Sequence, residues 1–273
     1  MTERAAQFIG DIPAQYDAGL GPVLFARYAD ETARRVVALN PADILETAAG
    51  TGIVTAALRA RLPDARITAT DLNAPMLDYA AAKIGADSGR RAGRTTFQAA
   101  DACDLPFGDA AFDCVCCQFG IMFFPDKPKS YAEARRVLRE GGAYVFSAWD
   151  SWAANPFAEI VHEILADAFP DDPPQFYRTP FGYHDPAEMK RAARTAGFSS
   201  IRISRVAFES PIPSPEKFAR GAIYGNPVYA EIVERGAASP EALRELLAEA
   251  IAARFGPSPV TTPLAAFIVE ART

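Results

Sequence analysis

The run Ile44-Leu45-Glu46-Thr47-Ala48-Ala49-Gly50-Thr51-Gly52 constrains the fold more than any other stretch. A short apolar segment ends in an acid and passes through small residues. It then enters Ile53-Val54-Thr55-Ala56-Ala57-Leu58-Arg59, where apolar residues recur at helical spacing. Such a strand–loop–helix unit lets backbone approach a ligand closely and aims helix N-terminal N–H groups at it. A second acid, Asp71, closes the next apolar run, Ile67-Thr68-Ala69-Thr70. Two successive strands ending in acids beside a glycine loop suit a nucleoside, with ribose hydroxyls at Asp71.

The loop reads E-x-A-x-G-x-G, which is not the dinucleotide pattern G-x-G-x-x-G. It resembles motif I of the class I S-adenosylmethionine-dependent methyltransferases, [DE]-x-G-x-G-x-G, with Ala48 where the family has its first glycine. Further segments resemble the family in order. Asp71-Leu72-Asn73-Ala74-Pro75-Met76-Leu77 is similar to the segment after the second strand. Phe97-Gln98-Ala99-Ala100-Asp101-Ala102 is similar to the third strand and its exit, and Leu105 to Asp113 to the approach to the fourth. Cys114-Val115-Cys116-Cys117-Gln118-Phe119-Gly120 continues into that strand. Arg135 to Gly142, followed by Ala143-Tyr144-Val145-Phe146, corresponds to a helix, its glycine stop and the fifth strand.

The resemblance implies an α/β fold: a Rossmann-like, seven-stranded, mostly parallel sheet with helices on both faces, the seventh strand antiparallel between the fifth and sixth. It implies S-adenosylmethionine as cofactor, held by Glu46, Ala48, Gly50, Gly52, Asp71, Leu72, Met76, Asp101, Ala102 and Gln118. Residues 1–40 lie outside the core pattern and are expected to form an N-terminal helical lid. There Tyr16 is the candidate to reach the cofactor carboxylate, with Phe25 and Tyr28 as apolar cover. Residues 41–273 make the methyltransferase domain, with helical insertions near 151–185 and 214–256. Asp185-Pro186-Ala187-Glu188, Ser214-Pro215 and Ser239-Pro240 read as helix starts. Ile201 to Phe208 and Ala265 to Ala271 read as the last two strands.

A sulfonium methyl is already activated, so in-line alignment and exclusion of water carry the reaction. The apolar run Phe119, Ile121, Met122, Phe123, Phe124 and the later Trp149 and Trp152 suggest a pocket for a small, rather apolar acceptor, against core packing as the plainer reading. Of the two histidines, His184 is a weak candidate base, with a surface or helix-capping role beside Asp185 as the favoured reading. The four cysteines fall between Cys103 and Cys117 without metal-ligand spacing, so no metal is expected; Cys103 alone stands in a loop as a possible nucleophile. Lys plus Arg number 28 against 34 acids, a net charge of −6, which argues against nucleic acid. No stretch reaches membrane-spanning length, and Met1-Thr2-Glu3-Arg4 begins no signal peptide, so a cytoplasmic protein is expected. Two other functions for this fold are a non-catalytic S-adenosylmethionine-binding module and a nicotinamide-dependent dehydrogenase. An aminopropyl transferase would want an acidic pair near Gln118, which the sequence lacks.

Overall fold

The computed structural model describes residues 12–88, 94–256 and 260–273; the opening Met1-Thr2-Glu3-Arg4 lies outside them. Seven strands form one sheet: β1 (Asp43–Glu46), β2 (Arg66–Asp71), β3 (Thr95–Ala99), β4 (Phe112–Gln118), β5 (Leu138–Trp149), β6 (Ser200–Ile212) and β7 (Val260–Arg272). Their order is β3-β2-β1-β4-β5-β7-β6. The pairs among β1 to β5 are parallel, and β7 runs antiparallel to both β5 and β6, as the resemblance implies. Central strands have no water to face: Cys114, Val115, Cys116 and Cys117 of β4 are fully buried, whereas the edge strand β3 keeps its side chains partly or fully exposed.

Helices α1 (Ile12–Gly19), α2 (Ala26–Val37), α3 (Ile53–Arg61), α4 (Ala74–Ser88) and α5 (Lys127–Val137) belong to the first two-thirds of the sheet. A π turn, Gly21–Phe25, joins α1 to α2. Between β5 and β6 come α6 (Pro156–Ala168), α7 (Arg178–Phe181) and α8 (Pro186–Thr195). Between β6 and β7 come α9 (Pro215–Tyr224), α10 (Val228–Arg235) and α11 (Pro240–Phe255). Four helices start by the same chemistry. Asp126, Asp185, Ser214 and Ser239 each accept an N–H from the first turn, and each helix carries proline at its first or second position, where no donor is lost.

Two expectations are refined. β6 and β7 run to thirteen residues each, longer than the sequence suggested. Both contain a proline, which cannot donate to a ladder, but Pro211 lies on an edge strand. Pro263 lies beyond the last β5–β7 partners, Trp149 and Ala266, where β7 needs donors for one neighbour only. Helix α2 is core rather than cover: Tyr28, Ala33 and Val36 are fully buried, and the Tyr28 hydroxyl donates to the Val206 carbonyl at 3.2 Å. Of residues 12–40, the part facing the cleft is α1 and the π turn. Among the described residues no helix is long and apolar enough to cross a membrane.

Candidate functional site

The strand order reverses between β1 and β4, and a cavity of about 500 Å³ opens at their carboxyl ends. The loop after β1 builds one wall. Ala48, Gly50 and Gly52 take φ of +52°, +55° and +76°, so alternate residues sit in the left-handed region. Gly52 must be glycine for a second reason: a Cβ there would lie 2.9 Å from Ala80 Cβ on α4. Gly50 lines the cavity, and a Cβ on it would meet nothing within 4 Å, which leaves the loop open to a ligand.

Ala48 is the chain's departure from the motif, and the structure answers it at the residue packed against it. A Cβ on Gly120 would lie 2.3 Å from Ala48 Cβ. The side chain gained at 48 is accommodated by the side chain missing at 120. The next residue back, Phe119, is itself strained at φ +54°. Its ring stacks on Trp149 at 3.9 Å and 5°. Strain at the exit of a central strand, beside a cavity, marks a position held for geometry.

The carboxylates differ in environment. Asp71 is 7% exposed; its Oδ2 accepts the Gly50 N–H at 2.9 Å and its Oδ1 the Asn73 N–H at 2.8 Å. Burial raises its pKa against those hydrogen bonds. Asp101 is exposed at the far wall and accepts the Cys103 N–H at 2.8 Å. Glu46 lies behind the loop, 2% exposed, accepting the Thr55 hydroxyl at 2.6 Å. Burial pushes its carboxyl up to about 8. Gln118 spans to the N-terminal segment, accepting from the Thr32 hydroxyl at 3.1 Å and donating to the Phe25 carbonyl at 3.3 Å.

Of the residues expected to hold the cofactor, Tyr16, Ala48, Gly50, Asp71, Leu72, Met76, Asp101, Ala102 and Gln118 line this cavity. Glu46 and Gly52 do not; they support the loop from behind. Leu72, 63% exposed, presents an apolar face at the cavity rim. Asn73, from the segment after β2, and Phe124, from the apolar run after β4, also line it, as does Pro125, which the sequence did not single out.

A second, apolar pocket of about 60 Å³ adjoins it, sharing Tyr16, Phe119 and Phe123. Its remaining wall includes Phe25, Trp149, Phe157, Phe176 and Phe181. Tyr16 stacks on Phe25 at 4.9 Å, and burial raises the tyrosine's pKa, so it stays a neutral hydroxyl. Of the two tryptophans the sequence offered, Trp149 on β5 lines the pocket and Trp152 does not: its ring packs on His162 at 4.7 Å. His184 is exposed, its Nδ1 2.8 Å from the Phe181 carbonyl, and it lines neither cavity. Tyr28 lines neither. Cys103 is buried, which raises its pKa and disfavours the reactive thiolate, and it lines neither cavity. An outer cleft of about 970 Å³ meets the apolar pocket at Phe176.

The main cavity's lining has two carboxylates and no cationic side chain among the described residues. That donor set fits a ligand carrying hydroxyls and positive charge, and it offers a pyrophosphate no counter-ion. Residues 45–146 match the methyltransferase domain family. The demethylmenaquinone methyltransferase of Deinococcus radiodurans is 35% identical over 128 residues, covering 47% of this chain and 52% of that protein. The chain thus spans about half the length of that curated relative. Among solved structures, Haemonchus contortus phosphoethanolamine N-methyltransferase 2 in complex with S-adenosyl-L-methionine superposes with a TM-score of 0.59 at 15% identity, covering 95% of this chain and 56% of that one. The [4+2]-cyclase SpnF superposes with a TM-score of 0.53 at 18% identity, covering 90% of this chain and 81% of that one.

Proposed function

We propose that this chain, a class I methyltransferase by its fold and its matched domain, moves a methyl group from S-adenosylmethionine to a small, flat, rather apolar acceptor. The carrying observation is the cavity at the β1–β4 reversal, with the Ala48–Gly50 loop, Asp71 and Asp101 around it, opening onto an aromatic pocket. When bound, S-adenosylmethionine supplies a methyl group on a positively charged sulfur, already activated toward a nucleophile. Asp71, fixed by two backbone N–H groups, offers its carboxylate to paired hydroxyls. Leu72 and Met76 offer apolar surface to a flat base. Tyr16 closes the end shared by the two cavities.

The acceptor side works by position. Phe119, Phe123 and Trp149 give the pocket an apolar aromatic wall that suits a flat acceptor and keeps water out. Tyr177 is the pocket's buried hydroxyl, and it already donates to the Ala222 carbonyl at 2.9 Å. With no carboxylate or histidine among the pocket's described lining, the pocket offers no such base, which suits an acceptor whose nucleophilic atom is already deprotonated or loses its proton to water. The relative's name makes a reduced quinone ring the first acceptor class to try.

The likeness to a cyclase keeps a second reading alive, in which the fold binds cofactor without transferring its methyl. Calorimetry with S-adenosylmethionine and its demethylated product, followed by incubation with quinols, phenols and amines and a search for a gain of one methyl by mass, separates the two. Binding with methylation supports transfer, and binding without any methylation across the panel supports the second reading. Asp71→Ala should weaken binding by about 1.5–3 kcal/mol per charge-assisted hydrogen bond lost. Unchanged affinity in that variant overturns the cofactor assignment.

A further inference from the structure

The N-terminal helix is held over the cavity in two different ways. On one side it meets α9 backbone to backbone: a Cβ on Gly19 would lie 2.6 Å from Gly221 Cα, and a Cβ on Gly225 would lie 2.8 Å from Tyr16 N. Backbone packed that closely leaves no side chain between the two helices to rotate out of the way. On the other side one residue carries a polar cluster. Asp17 Oδ1 accepts the Thr51 hydroxyl at 2.8 Å and Lys83 Nζ at 2.7 Å. Its Oδ2 accepts Lys83 Nζ at 2.8 Å and the Tyr79 hydroxyl at 3.3 Å. Thr51 belongs to the loop after β1, between Gly50 and Gly52, and is 2% exposed. Tyr79 and Lys83 are one turn apart on α4 and so present a common face. Asp17 therefore ties α1 to both elements that build the cofactor wall, and Tyr16, its neighbour in sequence, lines both cavities.

We propose that Asp17 is a positioning residue that latches α1 over the cofactor cavity and sets how fast the cofactor and its demethylated product leave. It rests on the reading that this cavity takes S-adenosylmethionine. The glycine contacts with α9 act as the fixed side, and the Asp17 cluster is the side that opens. A charge-assisted cluster suits that task, because ion and hydroxyl partners can be exchanged for water one at a time, whereas interdigitated backbone cannot. Opening carries Tyr16 away from the junction of the two cavities while leaving the strand-end carboxylates in place.

The test is the dissociation rate of the demethylated product, S-adenosylhomocysteine, followed by rapid mixing with excess competitor, in wild type, Asp17→Asn and Lys83→Met. Release is expected to quicken about tenfold in each single variant and little further in the double variant, since both remove the same latch. Lys83→Met keeps the test valid should Asp17→Asn fold poorly. Wild-type protein that binds the product, with variants that release it at the wild-type rate, overturns the latch alone. A lowered melting temperature with an unchanged release rate does the same and assigns Asp17 to packing. Wild-type protein that binds neither ligand overturns the cofactor reading and the latch with it.

Discussion

Ala48 and Gly120 can be understood only together. An L-residue at φ +52° is strained by about 1–2 kcal/mol relative to glycine, so glycine is the expected residue at 48. The chain keeps alanine there and removes the side chain opposite, at Gly120. Gly120→Ala is expected to destabilise by about 1–3 kcal/mol through overpacking. Ala48→Gly should recover part of that loss, because a Cβ on Gly120 would still lie 2.8 Å from Cys117 Sγ. Denaturant unfolding of the two single variants and the double gives the coupling; additive effects would refute it. The Ala48 side of this pair was legible in sequence as a departure from a local pattern. Its partner, 72 positions away by residue number (120 less 48), was not, because nothing local to Gly120 says what faces it.

The same divide separates elements. Strand-end acids, the glycine loop and the capped helix starts depend on near neighbours, and the sequence exposes them. The wall of the apolar pocket is assembled from the π turn, the exit of β4, the end of β5, α6 and α7, and no spacing rule links those segments. Choosing between Trp149 and Trp152 shows the difficulty: one ends a strand and points inward, the other follows in a short turn and packs on a helix. His184 looked usable because its residue type suits proton transfer, but its loop sits at the surface. Phe176 precedes α7 and is shared by the apolar pocket and the outer cleft, with its ring 6.0 Å from Phe123. It is therefore the partition between them. Phe176→Ala should raise kcat/KM for bulky acceptors relative to small ones while leaving S-adenosylmethionine affinity unchanged, since Phe176 does not line the cofactor cavity. A stability loss of about 3–5 kcal/mol is expected alongside. Paired acceptors of two sizes, with cofactor binding by calorimetry, check this; an equal loss for both acceptors would refute the partition.

For the whole molecule, the buried acid behind the loop sets how stability responds to pH. The carboxyl of Glu46 has a folded-state pKa of about 8 against an ordinary 4.5, so the folded protein binds this proton more tightly than the unfolded chain does. Its contribution is complete below about pH 4.5 and is lost as pH rises through about 8. Asp71, raised by burial, has the same sign. Glu31, held down to about 2 chiefly by hydrogen bonds from Arg34 and Arg35, has the opposite sign, but its window lies below pH 4.5. His162, lowered by burial, loses its contribution as pH falls below about 6.5. The buried thiols of Cys114 and Cys117, pushed up to about 12 and 11, matter only above the ordinary thiol range near 9. Between pH 6.5 and 8 Glu46 is thus the main carboxyl in transition, and unfolding free energy should fall by about 1 kcal/mol per pH unit. Glu46→Gln keeps an oxygen for the Thr55 hydroxyl and removes the titration, so its stability should be flatter across that window. Urea midpoints at pH 6.5, 7.25 and 8 for both proteins decide the matter. Parallel slopes would mean that Glu46 ionises normally in the folded state and that the loop after β1 rests on a charged support.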